Sequence, residues 1–137
     1  SKDPATTLDK TGNTMYVMKN TAYNTYLITS GNSVSASSSA VSRNNYVVIV
    51  GDKIMSVAKD QYFNGTTSSV SFSGSGVSYT ISDNSPFTIS YNYYNYYNYY
   101  TYYLVQTGTE DVTMSRSNTN NRNWEFYEVK KQYQYKK

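Results

Sequence analysis

Short runs that alternate apolar and polar residues recur along the chain. The segment Val34-Ser35-Ala36-Ser37 returns at residues 70–73 and again at residues 112–115, each time in the order Val, hydroxyl residue, apolar residue, Ser. An alternation of period two is typical of a half-buried strand, with the Val and the second apolar residue on the inner face. The pattern therefore predicts three similar strands.

An aromatic residue followed by an apolar one precedes each of these strands. The pairs begin at Tyr26, Tyr62 and Tyr103, which lie eight, eight and nine residues before the Val of the following strand. The segments between contain Ser-Gly-Asn, Asn-Gly-Thr and Gly-Thr-Glu-Asp, all of which favour turns. Each pair and its Val segment are therefore predicted to form a β-hairpin.

Two further alternating elements flank each predicted hairpin. Opening strands are expected at residues 16–18, 54–57 and 87–89. A closing strand is expected after each hairpin, and it consists of an aromatic residue, any residue and an apolar residue. We interpret the three aromatic residues as equivalent core positions. These closing aromatics are Tyr46, Tyr79 and Trp124.

The elements combine into three units of four strands within one domain spanning residues 1–137. The units cover residues 15–50, 51–85 and 86–129, and a 14-residue N-terminal extension (1–14) and a basic Tyr/Lys tail (130–137) lie outside them. This organisation predicts an all-β fold, a β-trefoil in which six strands close a barrel and three hairpins cap it. The alternative is a β-sandwich of the immunoglobulin type with seven or more strands.

Residues 91–103 read YNYYNYYNYYTYY and contain nine of the 18 tyrosines. The distance from the inner residue of the opening strand to the Tyr of the next strand differs between the units. It is 8 residues from Met18 to Tyr26, 6 from Ser56 to Tyr62 and 14 from Ile89 to Tyr103. The tract is therefore interpreted as an enlarged loop of the third unit. Both of its faces would carry Tyr, so some rings should project outward.

The candidate binding residues all belong to this tract: Tyr91, Tyr93, Tyr94, Asn95, Tyr96, Tyr97, Asn98, Tyr99 and Tyr100. Tyrosine rings can stack on sugar rings while Asn side chains bond to hydroxyl groups, and Tyr is also abundant on adaptable protein-binding surfaces. The alternative is a repeat expansion that is tolerated without a function.

The amino-acid composition excludes several classes of functional site. The chain has no His and no Cys, which excludes thiol and imidazole chemistry and leaves only oxygen-ligand cation sites open. The net charge is +3, yet residues 1–129 carry 8 Lys and Arg against 9 Asp and Glu, a net charge of −1. A basic groove for nucleic acid is not expected. Apolar runs are too short for a membrane span, and the N-terminus has no apolar signal core.

No catalytic constellation is recognisable. Glu110 and Asp111 are neighbours in a predicted turn, and Glu125 alternates outward from its strand, so no two carboxyl groups are expected to face each other across a cleft. Serine has no base to activate it except Lys. We therefore expect neither an enzyme nor a cofactor or metal site. Asn64-Gly65-Thr66 forms a possible N-glycosylation acceptor at Asn64, with Gly65 suited to a tight hairpin turn.

The third-unit ending, residues 122–129 (RNWEFYEV), resembles the Gln-x-Trp strand of ricin-type β-trefoil lectins. Arg122 or Asn123 stands where that family has Gln, and the other two units have Tyr in place of Trp. The family builds each sugar pocket from an early Asp, an aromatic residue and an Asn, and only Asp60 offers such an Asp here. The strand pattern also resembles trefoil-like repeats in surface proteins of Gram-positive bacteria. The resemblance implies a trefoil fold and leaves the sugar pockets unassigned.

Two functions remain. The first is a non-catalytic extracellular or cell-surface binding and adhesion module that contacts carbohydrate through the Tyr/Asn loop. The second is a structural subunit of an extracellular filament, spike or coat, which assembles through its tails and the same loop. The expected partners are a glycan, a cell-surface molecule or copies of the chain, without nucleic acid and without membrane insertion. Residues 1–14 would either lie against their own domain or pair with a neighbour.

Overall fold

The computed structural model describes residues 3–130 and contains twelve strands. The strands of the first half are β1 (Tyr16–Asn20), β2 (Tyr26–Ile28), β3 (Ser35–Ser37), β4 (Val47–Val50), β5 (Lys53–Ser56) and β6 (Gln61–Asn64). The strands of the second half are β7 (Ser71–Ser73), β8 (Thr80–Ile81), β9 (Ile89–Asn95), β10 (Asn98–Gln106), β11 (Val112–Ser115) and β12 (Trp124–Glu128).

The all-β prediction is confirmed. Between residues 3 and 130, the helical elements are two three-residue 3-10 turns, Arg43–Asn45 and Asn120–Arg122. Both lie in loops that lead into a strand. The many β-branched, aromatic and turn-forming residues favour this outcome over longer helices.

The three predicted hairpins are present and share one register. Strands β2–β3, β6–β7 and β10–β11 pair in antiparallel fashion, and in each hairpin a Tyr stands opposite a Ser, followed inward by an apolar pair. Most of the apolar residues are buried, and Phe72 is half-buried. The apolar pairs are Leu27 with Ala36, Phe63 with Phe72, and Leu104 with Met114.

The other six strands form a curled arrangement around the core. β1 pairs with β12 along its whole length, β4 pairs with β5, and β8 pairs with β9. Single backbone contacts join the remaining neighbours. They are Tyr16 with Val47, Asp52 with Tyr79 (Tyr79 N–H donates to the Asp52 carbonyl, 2.9 Å), and Phe87 with Trp124.

Aromatic side chains occupy the centre of this core. Phe126 makes edge-to-face contacts with Tyr16 and Phe87, with ring centroids 5.7 and 5.6 Å apart. Trp124 is fully buried, as predicted, and its Nε1–H donates to the Leu104 carbonyl at 2.9 Å. The tryptophan thus ties the closing strand of the third unit to the hairpin of the same unit.

The predicted equivalence of Tyr46 with Tyr79 and Trp124 is wrong by one residue. Tyr16 pairs with Val47 in the way that Phe87 pairs with Trp124, so Val47 is the equivalent position. Tyr46 is half-buried and its N–H donates to the Arg43 carbonyl at 3.1 Å. Tyr46 is therefore the C-cap of the preceding 3-10 turn, and the strand begins one residue later.

The predicted loop length of the second unit is also wrong. Three equivalent strand pairs define the inner residue of each opening strand: Met18 with Phe126, Ile54 with Ile49, and Ile89 with Ile81. In the second unit, the distance to the next Tyr is therefore measured from Ile54 and not from Ser56. Ser56 is buried like an inner residue, but it is the last residue of β5, and its hydroxyl accepts a hydrogen bond from the Lys59 N–H of the following turn at 3.2 Å. The distance to the next Tyr is thus 8 residues in both of the first two units and 14 in the third.

The first two units make the same turn after their opening strand. The N–H groups of Asn24 and Asp60 donate to the carbonyls of Asn20 and Ser56, at 2.8 and 2.9 Å. Both Asn24 and Asp60 have positive φ angles, 57° and 55°, in the left-handed region that Asn and Asp tolerate best among non-Gly residues. The third unit replaces this turn with a longer hairpin.

The described part of the N-terminal extension lies against its own domain. Ala5 N–H donates to the Phe126 carbonyl at 2.7 Å, Thr11 bridges to Val50, and Ala5 and Leu8 pack on the core. Hydrogen bonds from the Thr11 and Thr14 side chains and from the Thr11 N–H lower the pKa of the Asp9 carboxyl. The predicted basic Tyr/Lys tail (130–137) lies, apart from Lys130, outside the described residues. No helix in residues 3–130 is long and apolar enough to cross a membrane.

Tyr79 anchors the loop between β6 and β7. Its hydroxyl donates to the Gly65 carbonyl at 2.6 Å, and burial raises the pKa of Tyr79 to about 12. A Cβ on Gly65 would lie 2.6 Å from the Ser69 carbonyl oxygen, so glycine is required by this close approach. The predicted tight hairpin turn at Gly65 is wrong, because residues 65–70 form a longer loop.

We expect Tyr79→Phe to lower the free energy of unfolding by about 1–3 kcal/mol near pH 8, because the Gly65 carbonyl loses its partner. The raised pKa means that the buried phenol stabilises the fold below pH 10 and that this contribution is lost as the pH rises from about 10 to about 12. Urea unfolding should therefore show the wild-type advantage shrinking over that range. Tyr23→Phe, at an exposed tyrosine, is the control. A wild-type advantage that stays constant up to pH 12 would contradict the assignment.

The shared turn allows a direct test of the repeat. We expect a variant in which residues 91–101 are replaced by the five residues Asn-Thr-Ala-Tyr-Asn of positions 20–24 to unfold cooperatively, within about 2 kcal/mol of the wild type. The replacement restores the 8-residue distance to Tyr103 and leaves the hairpin register intact. A graft one residue shorter is the matched control. It should be much less stable, because a one-residue slip moves every side chain to the opposite face.

Candidate binding hairpin

The tyrosine tract forms a two-stranded ribbon that extends beyond the rest of the sheet. β9 and β10 pair from Ser90–Tyr103 out to Asn95–Asn98, which leaves Tyr96 and Tyr97 as the turn. β8 pairs with β9 only up to Ser90, and β11 pairs with β10 only from Tyr103 onward. Over residues 91–102, both outer edges of the ribbon therefore lack a neighbouring strand within the described chain.

Exposure rises towards the tip of the ribbon. Tyr91 is half-buried and packs against the core, whereas Tyr94 is 70% exposed and Tyr96 and Tyr97 are 100% and 95% exposed. The expectation that some rings project outward is confirmed. Amphipathic rings of this size at full exposure are uncommon unless they contact something.

Cross-strand neighbours divide the ribbon into two faces. On one face, the rings of Tyr94 and Tyr99 lie 4.9 Å apart, and the Thr101 hydroxyl donates to the Asn92 side-chain oxygen at 3.0 Å. On the other face, Tyr93 meets Tyr102 edge to face at 6.3 Å. Both faces therefore present tyrosine, and neither is a purely polar surface.

The tip carries a shallow depression lined only by tyrosine and asparagine. Its volume is about 350 Å³, and its lining is the continuous segment from Tyr94 to Tyr99. Within residues 3–130, the side-chain amides of Asn95 and Asn98 have no hydrogen-bond partner. The tip thus combines flat apolar rings with free amide donors and acceptors.

A second, larger groove lies at the base of the ribbon. It has a volume of about 590 Å³ and contains two arginines, Arg116 and Arg122, whose guanidinium groups each lie 4.4 Å from a tyrosine ring. Tyr99, Tyr100, Thr101, Tyr103, Ser117 and Asn118 complete its lining. This groove was not predicted from the sequence, because the near-zero net charge of residues 1–129 conceals a local cluster of two arginines. The only signal was a pair of arginines that flank one loop.

Other candidate residues do not join these sites. Asn64 is exposed at the end of β6, and Glu110 and Asp111 are exposed at the tip of the β10–β11 hairpin. Asp60 contributes its backbone conformation to a turn. Glu125 accepts a hydrogen bond from the Tyr127 hydroxyl at 3.1 Å. The pKa of Tyr127 is raised, mainly by burial and in addition by this hydrogen bond. In the part of the chain that the structure covers, no three acidic side chains cluster in a way that could hold a metal ion.

No protein-family model matches the chain, and the curated proteins contain no significant match to it.

Proposed function

We infer that the fold is a β-trefoil. Two observations support it. The first is the common hairpin register, and the second is a ring of backbone contacts. The ring runs from β1 through β4 to β5, through β8 to β9, and through β12 back to β1, and it is completed by contacts of the residues just before β5, β8 and β9. A sandwich has separate sheets with their own edges, so this return to the first strand favours a barrel.

Contacts between the hairpins add to the support for a trefoil. Equivalent backbone hydrogen bonds join hairpins of different units. In each, the donor N–H belongs to the residue two positions after the Val of one hairpin (Val34, Val70 or Val112), and the acceptor carbonyl belongs to the residue two positions before the Val of another. This bond joins Ala36 to Glu110 at 2.9 Å, and its equivalent joins Met114 to Ser68 at 2.8 Å. Val34 N–H donates to the Val70 carbonyl at 2.7 Å and joins the first unit to the second. Three hairpins that bind one another in this way form a cap of the kind a trefoil requires.

We propose that the protein is a non-catalytic extracellular binding module that contacts carbohydrate through the tip of the β9–β10 ribbon. The observation that carries the proposal is the near-complete exposure of Tyr96 and Tyr97 beside Asn95 and Asn98. Each tyrosine ring offers an apolar face to a sugar ring, and the amides offer donors and acceptors to its hydroxyls. The extracellular setting is supported by the weakly charged, Tyr-rich composition.

The ribbon also lowers the cost of binding. Tyr94 and Tyr99 sit on paired strands and contact each other, so their backbone is ordered before a ligand arrives. Tyrosine has few rotatable bonds, and therefore little side-chain entropy is lost on contact. A surface of this kind suits weak, adaptable recognition of a glycan.

Glycan-array binding of the full chain tests this function. We expect the triple variant Tyr94→Ser, Tyr96→Ser and Tyr97→Ser to lose binding by at least about tenfold, since each stacked ring contributes on the order of 1 kcal/mol. Its free energy of unfolding should stay within about 1 kcal/mol of the wild type, because the three rings are exposed. Tyr23→Ser, which removes an exposed ring from the turn after β1, is the matched control. Retention of full binding by the triple variant would rule out the tip as the contact surface.

Assembly is a second candidate function, favoured by the two free edges of the ribbon. Exposed strand edges are templates for pairing with another chain, and rings on both faces would add apolar contact. Sedimentation velocity over a range of protein concentrations should then show polymers of the wild-type chain. The variant with residues 91–101 replaced by the turn of positions 20–24 should remain monomeric. A wild-type chain that is monomeric throughout the range would exclude assembly through the ribbon.

A further inference from the structure

The groove at the base of the ribbon carries positive charge in its wall. None of its lining residues is acidic, while Arg116 and Arg122 both contribute to its wall. The one ion pair between side chains that the described residues form joins Lys130 to Glu128, so neither arginine of the groove is neutralised by a carboxylate there. The charge of the two guanidinium groups is thus available to a ligand.

Both arginines are held in position. Arg122 stacks over Tyr103 and donates from Nη1 to the Ser117 carbonyl at 2.6 Å. The Arg116 guanidinium stacks over Tyr100 and makes no hydrogen bond to any residue between 3 and 130. A guanidinium that is ordered by an aromatic face but keeps its donors free is well suited to bind a planar anion such as a carboxylate.

The groove and the depression at the tip of the ribbon share one lining residue. Tyr99 lines both the tip depression and the groove, so one extended ligand can contact the exposed rings and the arginines together. Thr101, Ser117 and Asn118 supply hydroxyl and amide groups along the groove. This lining matches a molecule that has many hydroxyl groups and an occasional negative charge.

We propose that the groove binds the carboxylate of an acidic saccharide, with Arg116 as the main anion ligand and Arg122 as its supporting partner. This inference rests on the proposed carbohydrate function and gives it a substrate class. Single-stranded nucleic acid is the competing polyanion, and the net charge of −1 over residues 1–129 opposes it. A nucleic-acid groove normally neutralises many phosphates, whereas this groove offers two arginines.

Calorimetric titration of the full chain with oligogalacturonic acid, and with its methyl ester as the neutral analogue, tests the inference. We expect the acid to bind about tenfold more tightly than the ester at low salt, and the preference to fall as salt screens the charge. Arg116→Gln should remove the preference, so that the variant binds the acid and the ester equally well. The matched control is Arg43→Gln, which removes the same charge from the exposed 3-10 turn before β4. This variant should keep the preference for the acid over the ester.

The possible outcomes separate this inference from the proposed function. Equal binding of acid and ester overturns the inference, and so does oligothymidylate of the same charge binding as tightly as the acid. Neither result affects binding of neutral glycans at the tip. If the triple serine variant keeps full acid binding and Arg116→Gln loses the preference, the groove is confirmed and the tip is excluded. If the acid does not bind at all, the inference is wrong. The proposed function is then tested only by the binding of neutral glycans on the glycan array.

Discussion

The hairpin register is the constraint on which the rest of this structure depends. In every unit, the Tyr that opens the hairpin stands opposite a Ser, and the next residue inward is an apolar core residue. A change in the number of residues before that Tyr must preserve this pairing, or the core side chains turn to the wrong face. The six additional residues of the third unit satisfy the constraint because an even number lengthens both strands equally and leaves Leu104 opposite Met114.

The two-faced character of the ribbon follows from a mismatch of periods. The tract repeats every three residues, whereas a strand repeats every two, so Tyr falls on both faces in turn. The core can cover only the base, where Tyr91 and Tyr102 pack. The outer part has no such cover, and the rings near the turn are left to solvent or to a partner. The proposed carbohydrate contact and the proposed assembly thus depend on the same physical feature.

Local charge matters more than net charge at the base of the ribbon. Arg116 and Arg122 lie on a loop that follows β11 and meets tyrosines of β10. The balance of charges over the whole body is close to zero, but the acidic residues that provide it do not line the groove. An average over the chain therefore does not reveal the local positive charge of this groove.

The sequence by itself determined the type of structure and the place of the tract. Period-two alternation and the recurring Val segments identified the hairpins, because each local pattern agrees with the strand that it forms. The tertiary structure decided the alignment between units, since Ile54 and Val47 are identified by their strand partners and not by residue type. It also created the groove, because Tyr100 and Arg116 are far apart along the chain and meet only when β10 and β11 pair. Contacts of this kind depend on register and loop path, which no local pattern specifies.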